Sequence, residues 1–163
     1  MTEAFDARWT DKIQDEWTRA LLTNASHVDA ARIARTRRLM DNYVPTGLVS
    51  ESEHRIANIT LPDADDRHVA AAAIQCNAKF IVTKNLKDFP AAVLTPLGVE
   101  TVHPDAFVRL LLDLNPTAAL DAVRRHRADL QNPPRSPAEY IAALEAQDMP
   151  TTAASLRGHS GPP

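Results

Sequence analysis

Cysteine is nearly missing from this chain. Cys76 is the single one among 163 residues, so no internal disulfide can form and the fold must rest on packing. A lone, buried and reduced thiol is the expectation, in a cytoplasmic setting. No apolar run approaches the length of a membrane span, and the N-terminus lacks the pattern of a signal peptide, so no membrane association is expected. Aromatic residues make up 5%, which is low for a strand-rich protein, whereas alanine-rich helical stretches are abundant. More helix than sheet is predicted. There is no excess of positive charge either. A net charge of −3 argues against a generally basic nucleic-acid coat, but not against a nuclease, because an acidic pocket adds negative charge that a bound metal offsets. No Ser–His–Asp spacing stands out, and there is neither an internal repeat nor a low-complexity segment. A hydrophobic fraction of 44% over this length suits one domain with an appendage and a real core.

What the chain does have is concentrated in Leu61–Pro90, LPDADDRHVAAAAIQCNAKFIVTKNLKDFP. Pro62 and the carboxylates Asp63, Asp65 and Asp66 form an acidic turn. Val69–Ile74 follows as a helix with small residues on nearly every side, able to pack tightly, with Asn77 as its stop. Phe80, Ile81 and Val82 are a short apolar run, the pattern of a strand buried on both faces of a parallel sheet. The loop after it carries Thr83, Asn85 and Asp88, and in open α/β sheets the site lies beyond the carboxyl ends of the strands. One of the three acids is enough to cap a helix, and Asn85 and Asp88 have an ordinary reading as turn residues. Brought together, the two clusters would make an oxygen-rich pocket of the kind that suits Mg²⁺ or Mn²⁺.

Asp66-Arg67-His68-Val69-Ala70-Ala71-Ala72-Ala73, followed by Ile81-Val82-Thr83-Lys84-Asn85-Leu86-Lys87-Asp88-Phe89, resembles the core signature of PIN domains, nucleases that include the VapC-like toxins of bacterial toxin–antitoxin pairs. The likeness is specific over Leu61–Pro90 and looser from about Ala7 onward. It implies a three-layer α/β/α fold with a short parallel sheet, spanning residues 1–115, and a helical C-terminal extension over 116–163. It also implies metal-assisted hydrolysis of an RNA phosphodiester. By position, Asp66, Asp88 and the upstream helical Glu16 would hold Mg²⁺ or Mn²⁺, while Asn85 and Thr83 orient water. An RNA substrate and a cognate antitoxin protein are the implied partners. The family's first-strand Asp has no counterpart, because no strand precedes Trp9, so the domain reads as N-terminally incomplete and its cleavage as impaired. The alternative is a catalytically inactive or truncated PIN-like protein acting as a binding module.

The rest of the chain reads as helices. Thr10 caps one running to about Thr23, with Ile13, Trp17, Ala20 and Leu21 as its apolar stripe and Glu16 at the stripe's edge. Taken alone, Glu16 is an exposed residue paired with Lys12 at i, i+4. Ser26 and Asp29 open a second helix to about Asn42, in which Val28, Ala31, Ile33, Leu39 and Met40 are buried. Arg32, Arg35, Arg37 and Arg38 there, like Arg124, Arg125 and Arg127 later, are first of all solvated helix faces. Leu48-Val49 is a short extended piece, and Ser50–Thr60 is either a short helix or irregular. His54 and His68 are ligands or structural hydrogen bonders. Pro90–Leu94 predicts a helical turn and Val99–Val102 a short strand. Pro104 then opens a strongly apolar helix whose Phe107–Leu114 face needs cover from the C-terminal helices or another protomer of a homodimer. Asn115-Pro116 starts a helix to about Gln131. Ser136-Pro137-Ala138-Glu139 is a complete capping box. A last short helix follows Pro150, before a loose tail from Gly158.

Overall fold

The computed structural model of the chain describes residues 5–24, 29–131 and 133–159. These form two compact units. The first comprises Asp6–Ile81 and Asn85–Thr101, and the second takes in Phe5, Val82–Lys84 and the described chain from Val102 onward. Among the described residues the structure is α/β and mostly helical, with one two-stranded parallel sheet.

In the first unit, α1 (Asp11–Asn24) starts where Thr10 Oγ1 accepts from the Ile13 amide at 3.1 Å. Its expected apolar stripe is not what it buries. Ala20 and Leu21 are exposed, Ile13 and Trp17 are half-buried, and the buried residue is Gln14, whose Nε2 donates to Asp41 Oδ1 at 3.1 Å. Asp41 lies on α2 (Ala30–Tyr43), so a polar clasp joins these two helices, reinforced by Arg37 against Asp11 and Asp15. Asp29 caps α2 by accepting from the Ala31 amide. Ser26 and Val28 lie outside the described residues. Ile33 is the buried side chain of α2, and Leu39 is exposed rather than buried.

Trp9 and Leu48 form an isolated parallel bridge, through Trp9 N to Gly47 O at 2.9 Å and Val49 N to Trp9 O at 2.7 Å. The buried Trp9 ring lies close against Gly47, where an added Cβ would stand 2.6 Å from Trp9 Cη2. The ambiguous segment resolves as a 3₁₀ helix, Glu53–Asn58. α3 (Arg67–Gln75) buries His68 and Ala70–Ala73. It stops through Asn77 at φ 54°, with Ala78 N donating back to Ala73 O at 2.8 Å.

β1 (Phe80–Val82) and β2 (Glu100–Val102) pair in parallel through Glu100 N to Lys79 O and Thr83 N to Val102 O. Only Ile81 of β1 is buried, and Val82 is 43% exposed, so the strand is not covered on both faces. α4 (Ala91–Leu94) and a 3₁₀ turn ending at Gly98, φ 79°, lead from the Asp88 loop to β2. The core of this unit gathers Ile59, Leu61, Ala70, Ala71, Ala73, Ile81, Phe89, Leu94 and Val99. Cys76 is half-buried at its margin, its Sγ facing Ala73 O.

The second unit contains α5 (Pro104–Leu114), α6 (Pro116–Asp129), α7 (Pro137–Ala146) and α8 (Pro150–His159). α8 carries helix through Gly158 to His159, past the expected start of the tail. Asn115 caps α6, and Ser136 and Glu139 make the reciprocal capping box of α7. Leu112 of α5 joins Ala119, Tyr140, Ile141, Ala153 and Leu156 in a core of its own, with Val108 and Leu111 packed against it. The apolar face of α5 is thus met by the C-terminal helices. Asp105, in the first turn of α5, is buried and accepts from both Thr151 donors and from the Thr152 amide, capping α8 from 46 residues away. Among the described residues no helix is long and apolar enough to cross a membrane.

Candidate functional site

The acidic turn does not spend its carboxylates on capping. Asp63 closes a local turn by accepting from the Asp65 amide at 2.8 Å, and Asp65 is exposed. Asp66 occupies the cap position of α3, yet its side chain makes no capping bond. Its backbone there is helical, φ −78° and ψ −10°, whereas a capping side chain needs an extended backbone to fold back on the first turn.

Asp66 is instead held among acids. Burial first, and then the carboxylates of Asp63, Asp88 and Glu16, push its carboxyl above the usual range, with His68 opposing them. These neighbours come from four separate pieces of the first unit: the turn itself, the 3₁₀ turn Leu86–Asp88, α1 and α3. Asp88 receives a hydrogen bond from Asn85 Nδ2, which fixes the loop carboxylate. Thr83 belongs to the second unit, at the end of β1, where its amide donates to Val102 O at 3.0 Å.

Glu16 has two partners. Lys12 lies 3.9 Å away, the exposed i, i+4 pair. His68 Nε2 stands 3.0 Å from Glu16 Oε1, off the line of a good hydrogen bond, so the contact is best described as a close polar one. His68 is only 5% exposed. Burial pushes its imidazole below the ordinary range, against the pull of the Glu16 carboxylate. Read from the sequence, His68 does no more than influence Asp66. In the structure it also ties Glu16 to α3, a contact 52 residues long that no local spacing signals. His54 is exposed on the 3₁₀ helix.

Among the described residues, no three His, Cys, Asp or Glu side chains form a ready-made metal cage. The donor chemistry nevertheless fits a hard dication. The group is carboxylate oxygen throughout, and like-charge crowding that raises Asp66 is what a bound cation relieves. Mg²⁺ keeps much of its water and needs only one or two protein carboxylates.

Residues 104–158 match a family described as the VapC50 C-terminal domain, which coincides with the four-helix unit from α5 to α8. The match is a likeness in sequence confined to that unit. A relative named "Putative ribonuclease VapC50", from Mycobacterium tuberculosis (strain ATCC 25618 / H37Rv), is 39% identical over 92 residues, covering 56% of this chain and 54% of that protein. The chain thus spans about half the length of the curated relative it matches. No solved structure matches it.

Proposed function

We propose that this protein is a VapC-like, PIN-type endoribonuclease dependent on Mg²⁺ or Mn²⁺, acting in the cytoplasm and paired with a cognate antitoxin protein. The three-layer α/β/α arrangement of PIN domains is part of this reading. The observation that carries it is Asp66: a carboxylate at a helix start, freed from capping and placed where the charges of Asp63, Asp88 and Glu16 act on it. Groups of one charge are gathered this way where something of opposite charge is to be received. The name of the relative supports RNA as substrate.

In this reading Asp66, Asp88 and Glu16 hold the ion. When bound, it would supply Lewis-acid polarisation of the phosphodiester and neutralise the charge that builds on it. Asn85 keeps the Asp88 carboxylate turned toward its task by donating to it. His68 stands beside Glu16 from the buried side, its Nε2 3.0 Å from Oε1.

The test is calorimetric titration with Mn²⁺ alongside cleavage of a single-stranded RNA. The Mn²⁺ heat should be lost in Asp66→Asn, and metal-dependent cleavage should vanish in Asp88→Asn. An unchanged isotherm in Asp66→Asn would remove the metal assignment. RNA left intact by the unaltered chain with either metal would leave a binding module as the better account.

A further inference from the structure

The last turn of α7 carries no basic residue. The helix closes in a Schellman arrangement: the Asp148 amide donates to Glu145 O and the Met149 amide to Leu144 O, both at 3.0 Å, with Asp148 at φ 62°. These bonds do not use the Gln147 carbonyl, which stands at the negative end of the helix dipole. Lys84 Nζ donates to that carbonyl at 2.6 Å, from 63 residues earlier in the chain. A lysine at a helix C-terminus is favoured twice, by the bond and by the dipole. The cation that α7 lacks is thus supplied from the end of β1.

The turn that Lys84 meets is itself held firmly. Just beyond it, Asp105 caps α8 through Thr151 and Thr152. His103 caps α5 by accepting from the Asp105 amide at 3.2 Å, and its Nε2 stands 3.4 Å from Asp148 Oδ2. His103 directly follows β2, whose last residue, Val102, accepts from the Thr83 amide at 3.0 Å. Thr83 is therefore fixed by β2 and Lys84 by the α7–α8 turn, while His103 links the two supports. Lys84 is the last residue of the helical unit before the chain passes to the first unit at Asn85. From there the loop runs through Asp88, which receives the bond from Asn85, to Phe89, whose carbonyl accepts from Thr101 Oγ1 at 3.0 Å.

We infer that Lys84 is a positioning residue for the carboxylate loop. Docked on the C-terminal end of α7, it fixes the start of the loop 85–88, so the C-terminal helices govern how steadily Asp88 is presented. The inference rests on the reading of Asp88 as a metal ligand, and it gives the helical extension a part in that site. Groups one step removed from a metal ligand act in this way, by orienting it.

The experiment compares the full chain with Lys84→Met, Lys84→Arg and Lys87→Met, by amide hydrogen exchange and by Mn²⁺ titration. The reporting amides are those of Asp88 and Phe89, which donate to Asn85 O and Leu86 O within the loop. Lys84 and Lys87 are both exposed, and each methionine removes one positive charge from the same stretch, so the difference between them isolates the anchor. In Lys84→Met the two amides should exchange about three- to tenfold faster, as loss of one exposed charged hydrogen bond allows, and Mn²⁺ affinity should fall with them. Lys84→Arg, which keeps a cation able to reach the Gln147 carbonyl, should restore both. Unchanged exchange in Lys84→Met, or an equal change in Lys87→Met, would overturn the inference. Faster exchange confined to Lys84→Met, in a chain that takes up no Mn²⁺, would uphold the anchor and count only against the metal reading.

Discussion

Asp105 is surrounded by donors and Asp66 by acceptors, and the two aspartates are driven in opposite directions. Burial alone would raise Asp105, but bonds from the Thr152 and Thr151 amides and hydroxyls outweigh it and hold the carboxyl down to about 2. A depressed acid stabilises the fold above its unfolded value of 3.8, and that contribution is lost as pH falls from there toward 2. Asp105→Asn should therefore cost about 2 kcal/mol at neutral pH, read by urea denaturation, with the deficit shrinking below about pH 4. For Asp66 the sign reverses. A raised acid favours the fold below 3.8, and the benefit disappears as pH climbs through the raised value. Without added metal at neutral pH, the Asp66→Asn chain that loses Mn²⁺ binding should melt at a higher temperature than the parent. Of these roles, the caps at Asn115 and Ser136 were legible because capping is a matter of spacing within four residues. Asp105 with Thr151, and His68 with Glu16, were not, since only the fold brings such distant residues together.

Elements were easier to locate in the sequence than their faces. The start of α1 at Thr10, the capped helices α6 and α7, the strand at Phe80–Val82 and the turn after Phe89 all follow local patterns. What α1 buries does not: Gln14 goes inside and Leu21 and Leu22 stay exposed, because the Asp41 carboxylate on α2 offers Gln14 a partner that hydrophobic periodicity ignores. β1 misleads for a related reason, since a continuous apolar run predicts two covered faces and Val82 lacks the second. Only the Leu48-Val49 side of the Trp9–Leu48 bridge reads as extended in the sequence, and the bridge is one residue long on each side. It depends on a side-chain fit, with the indole lying where a Cβ of residue 47 would be. Gly47→Ala should accordingly destabilise the first unit by about 1–3 kcal/mol, the usual cost of overpacking. Thermal denaturation would show this, and an unchanged midpoint would mean that the indole moves aside freely.

Among the described residues there are two hydrophobic cores, one built on the alanine face of α3 and one among α5, α6, α7 and α8, and they share no residue. The family match covers only the second, over residues 104–158, while the carboxylates belong to the first. Separate cores are the condition under which two-state unfolding breaks down. Calorimetry should resolve two transitions, and Asp105→Asn should lower only the one belonging to the helical unit. A single sharp transition, moved as a whole by that substitution, would show the cores to be coupled. The placement of Trp9 and Trp17 gives this division an optical signature. Both of the chain's tryptophans lie in the first unit, so their emission reports on the half that carries the carboxylates and is blind to the other. Far-ultraviolet dichroism, dominated by helix, sees both. Melting curves from the two methods should therefore part company, and the gap between them would measure how independently the C-terminal helices live and die.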